Sequence, residues 1–181
     1  MIARLTRLGL LAPVLLLAAC ASSPAGQATP TSASADTTPS ARATPAELVA
    51  QVRAAGENGL ELEVQPLRDP QVDDLRARAR ELEDAGKPKA AFEALAQALE
   101  ISPEDPELLQ WQAELSLLRR SWEQAELLAA KSYEVGPKLG GLCRRNWATI
   151  GHARDMRGAD EAAEVAHRQG ESCIVAPPVR M

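Results

Sequence analysis

The hydrophobic positions of this chain follow a pattern that occurs twice between Val72 and Pro137, with the second copy 34 residues after the first. Small side chains recur where two helices have to approach closely, so that Ala98 in the first copy corresponds to Ser132 in the second. A period of this length is typical of helical hairpins that stack and share one core, since a single hairpin cannot bury its apolar face alone. The repeated pairs are Leu75 and Leu109, Ala79 and Ala113, Ala91 and Ala125, and Pro103 and Pro137.

The spacing of apolar residues predicts an all-α fold, a short solenoid of about three helical hairpins over residues 70–173. Apolar side chains recur three or four residues apart, which places them on one face of a helix. Asp69-Pro70 starts the first of these helices, because a capping aspartate followed by proline is a common helix beginning. The predicted helices are 70–85, 88–101, 105–119, 122–135, 142–157 and 159–171.

A shorter helix is predicted ahead of the hairpins, in a region that spans residues 45–69. The sequence Thr44-Pro45-Ala46-Glu47 combines a capping hydroxyl, a proline at the first helical position and a glutamate at the third, which is typical of a helix start. The residues that follow place a short apolar stripe on one face, formed by Leu48, Val49 and Val52. Residues 60–64 alternate apolar and acidic side chains, and we expect an extended segment that lies over the first hairpin.

The two ends of the chain differ in composition from this central region. Residues 1–19 combine Arg4 and Arg7 with an apolar run of about ten residues, which is too short to span a bilayer but is typical of an export signal. Residues 20–44 consist almost entirely of alanine, serine, threonine and proline, which bury too little apolar surface to offset the entropy of ordering. We therefore expect a disordered tether there, and an extended tail at residues 174–181.

The overall composition favours helices and excludes one class of partner. Aromatic residues make up 3% of the chain, which disfavours a β-sandwich because such folds need aromatic and β-branched side chains. The formal net charge is -5, so the chain lacks the basic footprint of a protein that binds nucleic acid.

The repeated stretch resembles the tetratricopeptide repeat (TPR), a 34-residue helix-turn-helix unit. In the first copy Gly86 lies at the turn position, whereas in the second copy Arg120 replaces the turn glycine, a departure that weakens the hairpin. The resemblance covers about residues 69–170. When four residues are inserted after Pro137, a third copy matches the family at Trp147, Ile150, Gly151, Gly158 and Ala163.

The resemblance also implies a binding groove, because the first helix of each hairpin in this family lines the concave face of the array. Tryptophan and arginine are enriched at binding hot spots, so Trp111 is a candidate anchor; the alternative is that it packs against the tether or the N-terminal helix. Trp122 and Trp147 fall on packing positions of the family and are assigned to the core. The groove residues carried over are Arg76, Arg80, Gln110, Trp111, Glu114, Arg145, Thr149 and His152.

The sequence Leu17-Ala18-Ala19-Cys20 resembles the lipobox of bacterial lipoproteins, in which small residues precede a cysteine. The resemblance implies cleavage before Cys20 and acylation of both its thiol and the new amino terminus, and several acyl chains hold a protein durably at a membrane. The alternative is an ordinary secretory signal with a chance cysteine. Because no aspartate follows Cys20, the enterobacterial sorting pattern implies the outer membrane, with the domain on its periplasmic face.

TPR arrays bind protein segments, so the resemblance implies a periplasmic protein-binding module and not an enzyme, with no cofactor and no small-molecule substrate. The order of signal, lipobox, tether and short repeat domain is similar to that of LpoP-type lipoproteins, which activate a class A penicillin-binding protein, a peptidoglycan synthase. The run Arg145-Asn146-Trp147 also resembles that subgroup. The alternatives are a docking or assembly factor for a pilus or secretion system, and an adaptor for peptidoglycan hydrolases.

Candidate chemistry outside the groove is limited to cysteine and histidine. Cys143 precedes the first helix of the third hairpin and Cys173 follows the second, and these two ends lie side by side in an antiparallel hairpin. Because the expected compartment is oxidising, we predict a disulfide; the alternative is two separately buried thiols. His152 and His167 are 15 residues apart, a separation that is not typical of metal ligands, and no metal site is predicted.

Overall fold

The structure, a computed structural model, describes residues 42–57 and 67–174, and all of them lie in one compact unit. The export signal, Cys20, most of the tether, the alternating segment 60–64 and the tail beyond Ile174 lie outside the described residues. Within the described ranges the chain forms seven helices and no strand. None of these helices combines the length and the apolar character that are needed to cross a bilayer.

The six predicted repeat helices are present, and every end agrees with the prediction to within one residue. They pair as three antiparallel hairpins, α2 with α3, α4 with α5 and α6 with α7, and successive hairpins pack against each other. This confirms the TPR-like helical array. The helices are α1 (Pro45–Glu57), α2 (Pro70–Asp84), α3 (Pro88–Ile101), α4 (Pro106–Leu118), α5 (Trp122–Val135), α6 (Gly141–Met156) and α7 (Asp160–Glu171).

Helix α1 begins with the reciprocal cap that its sequence predicts. The backbone N–H of Glu47 donates to Oγ1 of Thr44 over 3.3 Å, and the backbone N–H of Thr44 donates to Oε2 of Glu47 over 2.6 Å. Together the two bonds satisfy donors that an isolated helix end leaves unpaired. Because the cap bonds hold its carboxylate, the pKa of Glu47 lies below its ordinary value.

The turn inside each hairpin contains one residue with a left-handed backbone. These are Gly86 with φ 69°, Arg120 with φ 59° and Gly158 with φ 74°. The residue after each of them returns an N–H to a carbonyl of the preceding helix, as in the 2.9 Å bond from Ser121 to Ser116. Arg120 therefore adopts the same turn as the two glycines, at a steric cost of about 1 kcal/mol that glycine does not incur.

Helix α4 is buried on all sides, because it packs against α1, α3, α5 and α6. Ten successive residues of this helix, Leu108 to Leu117, are buried. Small side chains allow the close packing of its neighbours, and the buried Ser132 of α5 donates from Oγ to the carbonyl of Pro106 over 2.7 Å. Polar positions of α4 that would face solvent in an isolated hairpin therefore need partners inside the protein.

The third hairpin is closed at its base by a disulfide between Cys143 and Cys173, whose Cα atoms are 5.7 Å apart. The bridge that the sequence predicted is thus present, and the N–H of Gly140 donates to the carbonyl of Cys173 beside it over 2.7 Å. A bridge with a sequence separation of 30 residues is worth roughly 3–4 kcal/mol in the chain-entropy model. It ties the last hairpin together where no described helix follows to cover it.

Trp122 and Trp147, which the sequence places at packing positions, are partly buried against the core. Trp122 packs on the cluster of α1, α4, α5 and α6 that contains Leu117. Trp147 packs on a second cluster that contains Ile150, and its ring centroid lies 5.0 Å from that of Tyr133.

Candidate functional site

Helix α1 lies on the first helices of the second and third hairpins, α4 and α6. Its apolar stripe of Leu48, Val49 and Val52 is buried, and Val52 packs in one cluster with Leu117 and Ala153. Since the first helices line the concave face in arrays of this kind, α1 occupies the part of the groove that these two hairpins form.

The C-terminal end of α1 is held by an arginine of α6. Arg144 donates from Nε to the carbonyl of Ala55 over 2.9 Å and from Nη2 to the carbonyl of Gly56 over 3.2 Å. A cation that donates to the last carbonyls of a helix satisfies orphan acceptors and complements the helix dipole. Helix α1 is therefore capped at its start by its own residues and held at its end by α6.

A fully buried carboxylate, Glu114 of α4, lies between α1 and α6. It accepts hydrogen bonds from Nε of Arg53 over 2.9 Å, from Nε of Arg145 over 2.9 Å and from Nε2 of Gln110 over 3.1 Å. A buried charge is tolerated only when it is paired and its lone pairs are used. Burial lowers the pKa of Arg53, but the charges of Glu114 and Glu83 and their hydrogen bonds outweigh it, so that the pKa is raised.

The network extends from this carboxylate to α2 and along α6. Nε2 of Gln110 donates to Oγ1 of Thr149 over 2.8 Å. Glu83 at the end of α2 accepts from Nη2 of Arg53 and from Nε1 of Trp111, each over 2.7 Å. Side chains of α1, α2, α4 and α6 are thus joined by one set of charged and polar contacts.

These contacts correct the expectation of an open groove. Gln110, Glu114 and Thr149 are completely buried. Trp111 is 6% exposed and belongs to the core cluster of the first hairpin and α4. Arg145 is half-buried in its pair with Glu114. The physical reason is that repeat position fixes which face of a helix a side chain occupies, but not whether a further helix covers that face.

The first hairpin keeps the exposed part of the predicted groove, because α1 packs on α4 and α6 and not on α2. Arg80 is exposed, and its guanidinium lies 5.0 Å from the centroid of the Trp111 ring. Arg76 lies 5.8 Å from the same centroid and pairs with Glu107 over 3.2 Å. Of these two predicted groove residues, Arg80 is therefore accessible above Trp111, whereas Arg76 is half-buried between that ring and Glu107.

The structure places His152, a predicted groove residue of α6, beside α7. Its ring centroid lies 5.7 Å from that of His167, and Nε2 of His167 lies 3.1 Å from Oδ2 of Asp155. Burial lowers the pKa of His152, and the charge of His167 adds to this effect against the opposing charge of Asp155. Linear spacing missed this cluster, although Ala163-x3-His167 falls on the family's A-x3-F packing positions and so indicates contact with α6.

Comparison with known proteins first identifies the class of fold. Residues 72–115 match the tetratricopeptide repeat family. Together with the three hairpins, this match shows that the chain carries a short TPR-like array, a fold whose members are protein-interaction modules. No curated protein shows significant similarity to the sequence.

The array is also similar to a solved structure. The globular C-terminal domain of P. aeruginosa LpoP is similar to this chain with a TM-score of 0.55 and 24% sequence identity. The likeness covers 58% of this chain and 99% of that domain. At this identity it establishes a shared fold.

Proposed function

We propose that this protein is an outer-membrane lipoprotein of the periplasm whose TPR-like domain binds and activates a class A penicillin-binding protein. The observation that carries the proposal is the likeness of its helical array to the globular C-terminal domain of LpoP. A protein partner that binds the active conformation of the synthase more tightly than the inactive one shifts the population toward activity. Activation then needs no catalytic group from this chain.

Anchoring follows from the sequence around Cys20. Acylation there holds the chain in the outer membrane, and the tether of residues 20–44 spans roughly 25–30 Å as a coil or somewhat under 80 Å when drawn out. That reach carries the domain toward a synthase rooted in the inner membrane. Labelling of growing cells with a radioactive fatty acid tests this step: wild-type protein takes up label, and Cys20→Ala does not. A wild-type chain without label contradicts the anchor.

The partner surface is the face of α2 that carries the exposed Arg80 and, beside it, the half-buried Arg76. An arginine over an aromatic ring is held in a defined position and still presents its donors. Because the second and third hairpins use their concave surface to bind α1, this face is the part of the family groove that a partner reaches without displacing any helix.

Crosslinking in growing cells tests the partner and the surface together. A photoreactive residue at the exposed Ala77 of α2 keeps both arginines, and illumination is expected to yield an adduct with a class A penicillin-binding protein. The control is the same residue at the exposed Lys131 of α5, on the second helix of its hairpin. Adducts with pilus or secretion subunits, or with peptidoglycan hydrolases, and none with a synthase would contradict the proposal and support those alternatives.

Charge reversal tests the role of the arginine face. Arg80→Glu should strongly reduce synthase stimulation by the purified domain, because the substitution inverts the charge at the contact. Arg78→Glu is the matched control, since Arg78 is exposed on the opposite face of the same helix. Equal loss with both variants would show that overall charge, and not this face, determines binding.

A further inference from the structure

We infer that His152, Asp155 and His167 form a binding site for a borderline divalent transition metal, with Zn²⁺ as the representative ion. His152 and Asp155 come from α6, one turn apart on the same helix face, and His167 comes from α7. One ligand atom of each residue lies within 4.8 Å of the other two. The site is independent of the proposed partner surface on α2.

The geometry is close to that of a metal site and needs a small contraction. Zn²⁺ bonds to nitrogen and oxygen at about 2.0–2.1 Å, so tetrahedral ligand atoms lie about 3.3 Å apart. The pair His167 Nε2 and Asp155 Oδ2 is already at 3.1 Å. Side-chain rotation can bring the other ligand atoms closer together, because His167 and Asp155 each have 44% of their side chain exposed and are free to move.

The chemistry of the donors selects the class of ion. Two imidazoles and one carboxylate suit Zn²⁺, Cu²⁺ and Ni²⁺, whereas Ca²⁺ and Mg²⁺ prefer ligand sets made of oxygen alone. Three protein ligands leave a fourth position for water. Arg154 and Arg157, which flank Asp155 in the sequence, both extend to Glu126 of α5.

Gly151 positions one of the ligands. A Cβ atom at this residue would lie 2.4 Å from Cε1 of His167, so the ring occupies space that any other residue would fill. The imidazole of His167 is thereby able to approach α6 and face Asp155. Together with the disulfide at the base of the hairpin, a bound ion would tie α6 to α7 at two separate points.

The test uses the full chain, purified in detergent and titrated with Zn²⁺ against a chromophoric zinc indicator. One ion should bind per chain, and His152→Ala or His167→Ala should weaken binding at least tenfold, because even outer-shell partners of metal ligands change affinity by roughly 10- to 100-fold. The chain contains 2 histidines, so both imidazole signals in long-range ¹H–¹⁵N spectra should shift on binding.

Two further variants keep the test decisive. Gly151→Ala should weaken binding by displacing His167 even though all three ligands remain, whereas Glu161→Gln, an exposed acid of α7, should leave affinity unchanged. Each variant is checked for retained helicity by circular dichroism. Zn²⁺ affinity that is the same in wild type and in both histidine variants, or that falls equally with Glu161→Gln, would overturn the assignment.

Discussion

Helices α2 and α4 occupy the same position in successive repeats, yet their surroundings differ completely. In α2 the buried residues are Val72 and Ala79, and three charged residues between them are exposed, Asp73, Asp74 and Arg78. In α4 ten residues in a row are buried. The difference arises because α2, among the described helices, packs on its hairpin partner α3 alone, whereas α4 packs on α1, α3 and α6 as well as on its own hairpin partner α5. The same repeat pattern thus produces a surface in one hairpin and an interior in the next.

The comparison shows how this chain uses its concave face. In the second and third hairpins the face binds a helix of the same chain, through the stripe around Val52 and the charges around Glu114. In the first hairpin no described helix covers the face, which carries the exposed Arg80 and the half-buried Arg76. Under the proposed function, this uncovered part of the groove is the partner surface.

The largest expected effect follows from removal of the buried carboxylate. Glu114→Ala should lower the free energy of unfolding by about 3 kcal/mol, because Arg145 and the buried amide of Gln110 lose their acceptor and the substitution leaves a cavity beside α4. Glu164→Ala is the control, because Glu164 of α7 pairs with Arg168 at the surface, where the two side chains are 75% and 62% exposed, and such a pair is worth about 1 kcal/mol or less. Urea unfolding followed by circular dichroism measures both variants, and equal losses would show that the buried carboxylate of α4 contributes no more than a surface ion pair.

A smaller effect is expected from shortening the stripe of α1. Val52→Ala should cost about 2 kcal/mol, since Val52 is completely buried and the substitution removes two methyl groups and leaves a cavity. Hydrogen exchange should show faster exchange in α1 and unchanged protection in α2 and α3. Gln51→Ala, an exposed neighbour, should change neither quantity by more than a few tenths of a kcal/mol.

The turns provide a third comparison between the first two hairpins. Arg120→Gly should stabilise the protein by about 1 kcal/mol, because glycine adopts the positive φ of this turn without steric cost. Gly86→Ala, at the same position of the first hairpin, should destabilise it by a similar amount. Thermal unfolding measures both changes. A destabilising Arg120→Gly would mean that the arginine side chain contributes more than its backbone strain costs.

The smallest effect concerns the cap of α1 and depends on pH. Because the folded-state pKa of Glu47 lies below its ordinary value of 4.5, its contribution to stability is fully present above that value and is lost as pH falls through the lowered pKa. Thr44→Ala removes the hydroxyl of the cap and should raise the pKa of Glu47 toward the ordinary value. An NMR titration of the Glu47 side chain measures this shift, and an unchanged pKa would show that the cap does not persist in solution.

Most of the fold could be predicted from the sequence, because local signals determine it. The 34-residue period, the prolines at helix starts and the turn residues Gly86 and Gly158 each restrict the backbone over a few residues. The disulfide could also be predicted, since antiparallel pairing brings Cys143 and Cys173 to the same end of one hairpin.

Whether the groove is open or covered could not be predicted in the same way. Whether α1 covers α4 depends on contacts between residues far apart in the chain, such as the pair Arg53 and Glu114, and no local pattern encodes them. One signal was available: Gln110 and Glu114 are polar residues one turn apart on a helix that is otherwise rich in leucine, and buried polar groups need partners. The cluster around His167 could not be predicted from the sequence for a related reason, since it joins residues of two helices.

The most direct test of the account is to locate α1 in solution. A nitroxide attached at residue 54, where Ala54 is exposed on α1, should broaden the amide signals around Arg145 in α6, because the carbonyl of Ala55 is bonded to the neighbouring Arg144. Signals of α3 should keep their intensity. Broadening that is confined to α1 and its immediate sequence neighbours would contradict the account, because it would leave the concave face of the second and third hairpins uncovered.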